Sequence, residues 1–136
     1  MERLPTGKET YSMNDQISIA FLDDEPDTVH IFTYELEKRG FKVFGTSKVD
    51  QLFEKLRIDP PQVLLIDMVI PDMPGWQICK KIRTAEEFNY IKIIGISGVF
   101  TEANDVVRLS ENLDLYLTKP VDFDVLDFTI RQMAIM

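Results

Sequence analysis

Val63-Leu64-Leu65-Ile66-Asp67 sets four apolar residues directly in front of a carboxylate. A run this short, bounded by polar and turn residues, reads as a buried strand. Three more runs end the same way. Ile17–Leu22 leads into Asp23 and Asp24, Ile91–Ile96 into Ser97, and Leu113–Leu117 into Thr118, Lys119 and Pro120. Nearly continuous apolar strands belong to parallel sheets covered on both faces. In open parallel sheets, ligands collect outside the carboxyl ends of the strands. The pattern therefore predicts three carboxylates, a hydroxyl and an ammonium meeting at one edge, a set suited to a divalent cation and a phosphoryl group.

Between the strands the period changes from continuous to helical. Pro26 to Arg39 places Val29, Phe32, Thr33 and Leu36 on one face, with Gly40 as a C-terminal cap. A short strand over Lys42–Phe44 precedes a helix over Val49–Arg57, which turns Leu52, Phe53 and Leu56 inward and is stopped by Pro60-Pro61. Pro71-Asp72-Met73-Pro74-Gly75 is a loop dense in turn residues. Further helices are expected over Gly75–Thr84, Glu102–Glu111 with Asn112 at its end, and Asp122–Met133. Five strands alternating with five helices predict an α/β, doubly wound parallel sheet with helices on both faces.

The whole chain sets outer limits. At 136 residues it forms one domain, and 45% apolar composition fills a core. A formal net charge of −8 argues against direct nucleic-acid binding, which calls for a basic patch. No run approaches the roughly 18 residues a membrane helix needs, and no secretory leader is visible. One cysteine cannot form an internal disulfide, which fits a reducing cytoplasm. Residues 1–16 are polar and aperiodic. They are expected to be a flexible tail or linker remnant, with Met13 as a second candidate start, and residues 17–136 are expected to be the folded domain.

Phe21-Leu22-Asp23-Asp24-Glu25-Pro26, Asp67 to Gly75, Ser97-Gly98 and Tyr116-Leu117-Thr118-Lys119-Pro120 together resemble the receiver domain of two-component response regulators. The resemblance runs over about residues 17–134. It implies the CheY-like, flavodoxin-like strand order 2-1-3-4-5. It also implies the roles that follow. Asp67 is the phosphoacceptor. Asp24 and Asp67 ligate Mg²⁺ directly, Asp23 acts through water, and the backbone carbonyl of Val69 completes the protein's share. Lys119 pairs with the phosphoryl oxygens across a cis peptide bond to Pro120. Ser97 and Tyr116 are switch residues that carry the event to the face made by the helix over 102–111, the fifth strand and the last helix. The partners implied are a histidine kinase or histidine phosphotransfer protein, and a downstream effector or fused output domain. A homodimer through the same face is a family expectation. The domain is not an enzyme beyond catalysing its own phosphorylation and dephosphorylation.

Independent physical readings stay open beside these. Asp23 or Asp24 can cap the first helix, Tyr116 can be an ordinary half-buried strand residue, and Lys119 a solvated lysine. His30, without other ligands nearby in sequence, reads as structural. Trp76 is expected to pack at the start of its helix, and Cys79 to have no catalytic role. Apolar Val69 and Val99, each two residues beyond a site residue, disfavour an ordered attacking water. The apolar surplus from Phe123 to Met136 is either a buried helix face or a partner surface. The competing functions are a phosphate-independent interaction module on the same fold, and an enzyme or cofactor binder. The second is disfavoured because Asp-Asp-Glu stands where a phosphate loop would, and no glycine-rich phosphate cradle is present.

Overall fold

A computed structural model describes residues 16–71, 73–98 and 112–136. The helix expected over 102–111, Val99, Asp72 and most of the expected tail lie outside the described residues.

The elements run β1 (Ser18–Leu22), α1 (Pro26–Lys38), β2 (Lys42–Thr46), α2 (Val49–Ile58), β3 (Val63–Asp67), α3 (Gly75–Thr84), β4 (Lys92–Ser97), β5 (Leu115–Thr118) and α4 (Phe123–Ala134). All strand pairs are parallel, in the order β2-β1-β3-β4-β5. The chain winds outward from β1 to β2, then crosses back to β3. That reversal opens a crevice between the carboxyl ends of β1 and β3.

Strand residues alternate between two cores. Ala20, Leu22, Leu64, Ile66 and Ile93 pack under α2 and α3 against Leu52, Leu56, Ile78, Cys79 and Ile82. Ile19, Phe21, Val63, Leu65, Ile94 and Ile96 pack under α1 and α4 against Phe32, Leu36, Leu126, Ile130 and Met133. β3, at the centre, is buried along its whole length. Burial pushes the Cys79 thiol up to about 12, so it sits in the core as an inert neutral group.

Helix ends follow local chemistry, with some departures from expectation. Gly40 takes φ +98, and the N–H of Phe41 returns to the Leu36 carbonyl, closing α1. Asn112 takes φ 68, the left-handed conformation foreseen for it. Neither Asp23 nor Asp24 caps α1. The N-cap is Glu25, whose side chain makes no capping bond, and Asp23 Oδ1 accepts from the Glu25 N–H at 2.9 Å instead. Asp122 does cap α4, accepting from the Asp124 and Val125 N–H groups. His30 is exposed on α1. The C-terminal surplus divides, with Leu126, Ile130 and Met133 buried and Val125, Phe128, Ile135 and Met136 exposed.

Arg83, at the end of α3, ties the opposite edge of the sheet together. It donates to the carbonyls of Asn89, Ile91 and Asn112 and pairs with Asp114, whose carboxylate also accepts from the Ile93 N–H. No helix among the described residues is long and apolar enough to cross a membrane.

Candidate functional site

Five of the residues singled out by sequence meet at the carboxyl end of the sheet. Asp23 follows β1, Asp67 ends β3, Ser97 ends β4 and Lys119 follows β5, with Asp24 beside Asp23. Asp23, Asp67 and Ser97 are buried, whereas Asp24 is exposed. Carboxylate oxygens of Asp23, Asp24 and Asp67 lie within 4.8 Å of one another. Lys119 Nζ reaches both buried acids, 3.3 Å from Asp23 Oδ2 and 3.4 Å from Asp67 Oδ2.

Strand pairing produces this convergence. β1 and β3 are hydrogen-bonded neighbours in register Leu22↔Ile66, so the residues just beyond them come out side by side. β4 delivers Ser97 next to that pair, through Asp67↔Ile96. The Lys119 N–H donates to the Ser97 carbonyl at 2.8 Å, and the Lys119–Pro120 bond is cis. The Val69 N–H donates to Asp67 Oδ1 at 3.0 Å and fixes one carboxylate oxygen. Val69 itself is 65% exposed at the mouth of the site. The Gly75 N–H closes the loop back onto the Met68 carbonyl.

Gly75 permits that closure because a Cβ there would stand 2.7 Å from Met68 Cα. Gly75→Ala therefore has to push the Asp67 loop away from α3. Thermal melting should show a loss of about 2 kcal/mol, or roughly 7 °C.

Burial pushes the Asp67 carboxyl above the ordinary carboxylate range, and the charge of Asp23 adds to the rise. The Val69 N–H and Lys119 oppose it. Burial alone would lower the Lys119 ammonium, but Asp67 and Asp23 together outweigh burial and raise it. The ammonium is thus firmly charged, and among the described residues one positive charge faces three carboxylates. Burial raises the Tyr116 phenol, against an opposing effect from Ser97. These two switch candidates are therefore neighbours, with Tyr116 half-buried on β5. Hard oxygen donors in excess of positive charge suit a hard divalent cation, so the donor set fits Mg²⁺. Among the described residues, this is the one acidic group whose geometry could hold an ion.

Sequence reading missed two supports of the site. One is the ring stack of Phe21, Phe32 and Phe123, which apolar spacing shows only as core. The other is the Asp23 N–H donating to the Thr46 carbonyl at 3.3 Å, which ties the acid loop to edge strand β2. No residue signal marks a backbone bond of that kind.

The model of the response regulator receiver domain family matches residues 19–131, and the chain belongs to that family of two-component signalling domains. It is 27% identical over 124 residues to the alkaline phosphatase synthesis transcriptional regulatory protein PhoP of Bacillus subtilis. That match covers 91% of this chain and 49% of the relative, so the chain spans about half the relative's length. Among solved structures it resembles the signal receiver domain of a signal transduction histidine kinase from Syntrophus aciditrophicus. The TM-score is 0.78 at 22% identity, covering 86% of this chain and 89% of the other. A CheY-like response regulator receiver domain from Methylobacillus flagellatus gives a TM-score of 0.75 at 20% identity, covering 87% and 98%.

Proposed function

We propose that this receiver domain is a phosphorylation-dependent switch with Asp67 as the phosphoacceptor. The observation that carries the reading is the convergence of Asp23, Asp24 and Asp67 within 4.8 Å under the ammonium of Lys119. Asp67 Oδ2, the oxygen facing Lys119, attacks phosphorus in a phosphohistidine of a kinase or phosphotransfer protein, or in a small acyl phosphate. A P–O bond to Asp67 forms as the bond to the donor breaks, and the leaving group departs with the electron pair. Lys119 neutralises charge on the phosphoryl oxygens. Asp23, Asp24, Asp67 and the Val69 carbonyl would hold Mg²⁺, which supplies charge neutralisation when bound.

Ser97 and Tyr116 lie where a new dianion would be felt. Ser97 donates a hydroxyl to it, and Tyr116 shifts on β5, biasing the adjoining surface toward an output partner or a fused output domain. Exposed Val125 and Phe128 on α4 add apolar area to that side, where a second copy can pair. Beyond its own phosphorylation and dephosphorylation the domain is not an enzyme, and a cytoplasmic setting belongs to the same reading.

Intact mass after incubation with acetyl phosphate tests it. Gain of one phosphoryl group with Mg²⁺, and none in Asp67→Asn, is the expected result. Mg²⁺ binding with no gain would replace the switch by a phosphate-independent interaction module. Val69 bears on the lifetime of the product, because an apolar side chain offers nothing to orient an attacking water. Val69→Asn should shorten the half-life of the phosphorylated form about fivefold, well short of the roughly hundredfold or more that a fully positioned acid–base group contributes. Loss of the mass increment over time measures it.

A further inference from the structure

Lys119 must reach its acids from the far side of the sheet. β5 is an edge strand separated from β1 by β3 and β4, about 14 Å at ordinary strand spacing. A lysine side chain is long and rich in rotamers, so holding it over one place needs its backbone fixed. The Ser97 carbonyl fixes one side of that backbone. On the other side, in the core under α1 and α4, lie three rings from three elements. Phe21 of β1, two residues before Asp23, stacks face to face on Phe32 of α1 at 4.4 Å and 10°. Phe32 in turn meets the edge of Phe123 at 5.0 Å and 66°. Phe123 is the first residue of α4, four residues after Lys119. Phe21 and Phe32 are buried, so the stack is anchored in the core at the β1 end.

We propose that Phe123 is a positioning residue for Lys119. The Phe21–Phe32–Phe123 stack sets the distance between the strand that carries Asp23 and the loop that carries the ammonium. This inference rests on the phosphoacceptor reading above. The carboxylates do not depend on the stack's outer ring, because β1 and β3 pair directly. Removing that ring therefore loosens Lys119 and leaves the acid cluster in place. The expected signature is a split, with slower phosphoryl uptake and undiminished affinity for Mg²⁺. Generalised loosening of the fold would weaken both.

The experiment uses the full chain as wild type, Phe123→Ala, Phe123→Leu and Phe123→Tyr. Rates of mass gain are measured at fixed acetyl phosphate and saturating Mg²⁺, and Mg²⁺ affinity by the rise of melting temperature with concentration. Misplacing a reacting group by about 1 Å can cost on the order of a hundredfold. A partly freed lysine should cost about tenfold in Phe123→Ala and about threefold in Phe123→Leu, which keeps apolar bulk without a ring. Phe123→Tyr keeps the ring edge and should stay within about twofold of wild type. Mg²⁺ affinity should stay within about twofold in all of them. Uptake by Phe123→Ala and Phe123→Leu equal to wild type, or Mg²⁺ affinity falling in step with uptake, would overturn the inference. Should the alanine variant fail to fold, the leucine and tyrosine variants decide it alone. No uptake by the wild type would overturn the phosphoacceptor reading, and this inference with it.

Discussion

Asp67→Asn is expected to take up no phosphoryl group and, without metal, to melt higher than the wild type. The two effects share one cause. Asp67 is buried beside buried Asp23, with Asp24 close by and Lys119 as the compensating charge. Burial and the Asp23 charge hold its carboxyl above the ordinary range. The folded state therefore binds this proton more tightly than the unfolded chain does. The stability contributed by the protonated group is full below the ordinary carboxylate pKa and is lost as pH rises through the raised value. At neutral pH the ionised group is a liability, which asparagine removes while keeping an oxygen for the Val69 N–H. Relieving such repulsion should be worth about 1 kcal/mol, or roughly 3 °C.

Mg²⁺ should reverse the order. At ten times its dissociation constant, a ligand that binds only the folded state adds about 1.4 kcal/mol. The wild type should gain about 5 °C and the asparagine variant much less. Melting curves with Mg²⁺ and with a chelator check both statements. A wild type that melts no lower than Asp67→Asn without metal, and gains nothing from Mg²⁺, would mean the acid cluster is not strained.

Arg83→Met should produce the largest loss of stability on the side away from the site. Methionine keeps the stem's volume but removes every donor. The carbonyls of Asn89, Ile91 and Asn112 and the carboxylate of Asp114 then lose their partner together. The Arg83 and Asp114 side chains are 20% and 29% exposed, so water replaces part of what is lost. About 3 kcal/mol remains a reasonable cost, a fall of roughly 10 °C. Asp114 also holds the Ile93 N–H, so the damage should centre on the entries to β4 and β5. Faster amide exchange at Ile93, ahead of β3, would localise it.

The strands were legible because burial on both faces demands apolarity at every position, as in Val63–Ile66. The acids were legible because each follows such a run. Two edge strands were read less well. β2 extends through Gly45 and Thr46, which pair with Phe21 and Leu22 although Gly45 interrupts the strand signal after Phe44. β5 starts at Leu115, not Leu113. Leu113 is apolar because it packs against the core beneath α3, and Asp114 is engaged by Arg83. Arg83 reads in sequence as one more basic residue in a last helical turn. Its partners are backbone carbonyls, which no residue pattern reveals. The ring stack was hidden for a related reason. Phe21, Phe32 and Phe123 each look like ordinary core residues, and only tertiary packing brings them into contact with one another.

Cys79 gives the chain a stopwatch. It is the sole thiol, fully buried on the inward face of α3 and held protonated by its surroundings. A thiol-alkylating reagent can reach it only when α3 leaves the sheet. Labelling under native conditions therefore counts opening events rather than surface chemistry. Because the same mass spectrum resolves phosphorylated and unphosphorylated chains, their labelling rates can be compared in a single tube. The ratio would give the change in opening free energy on phosphorylation, with no dye or engineered probe.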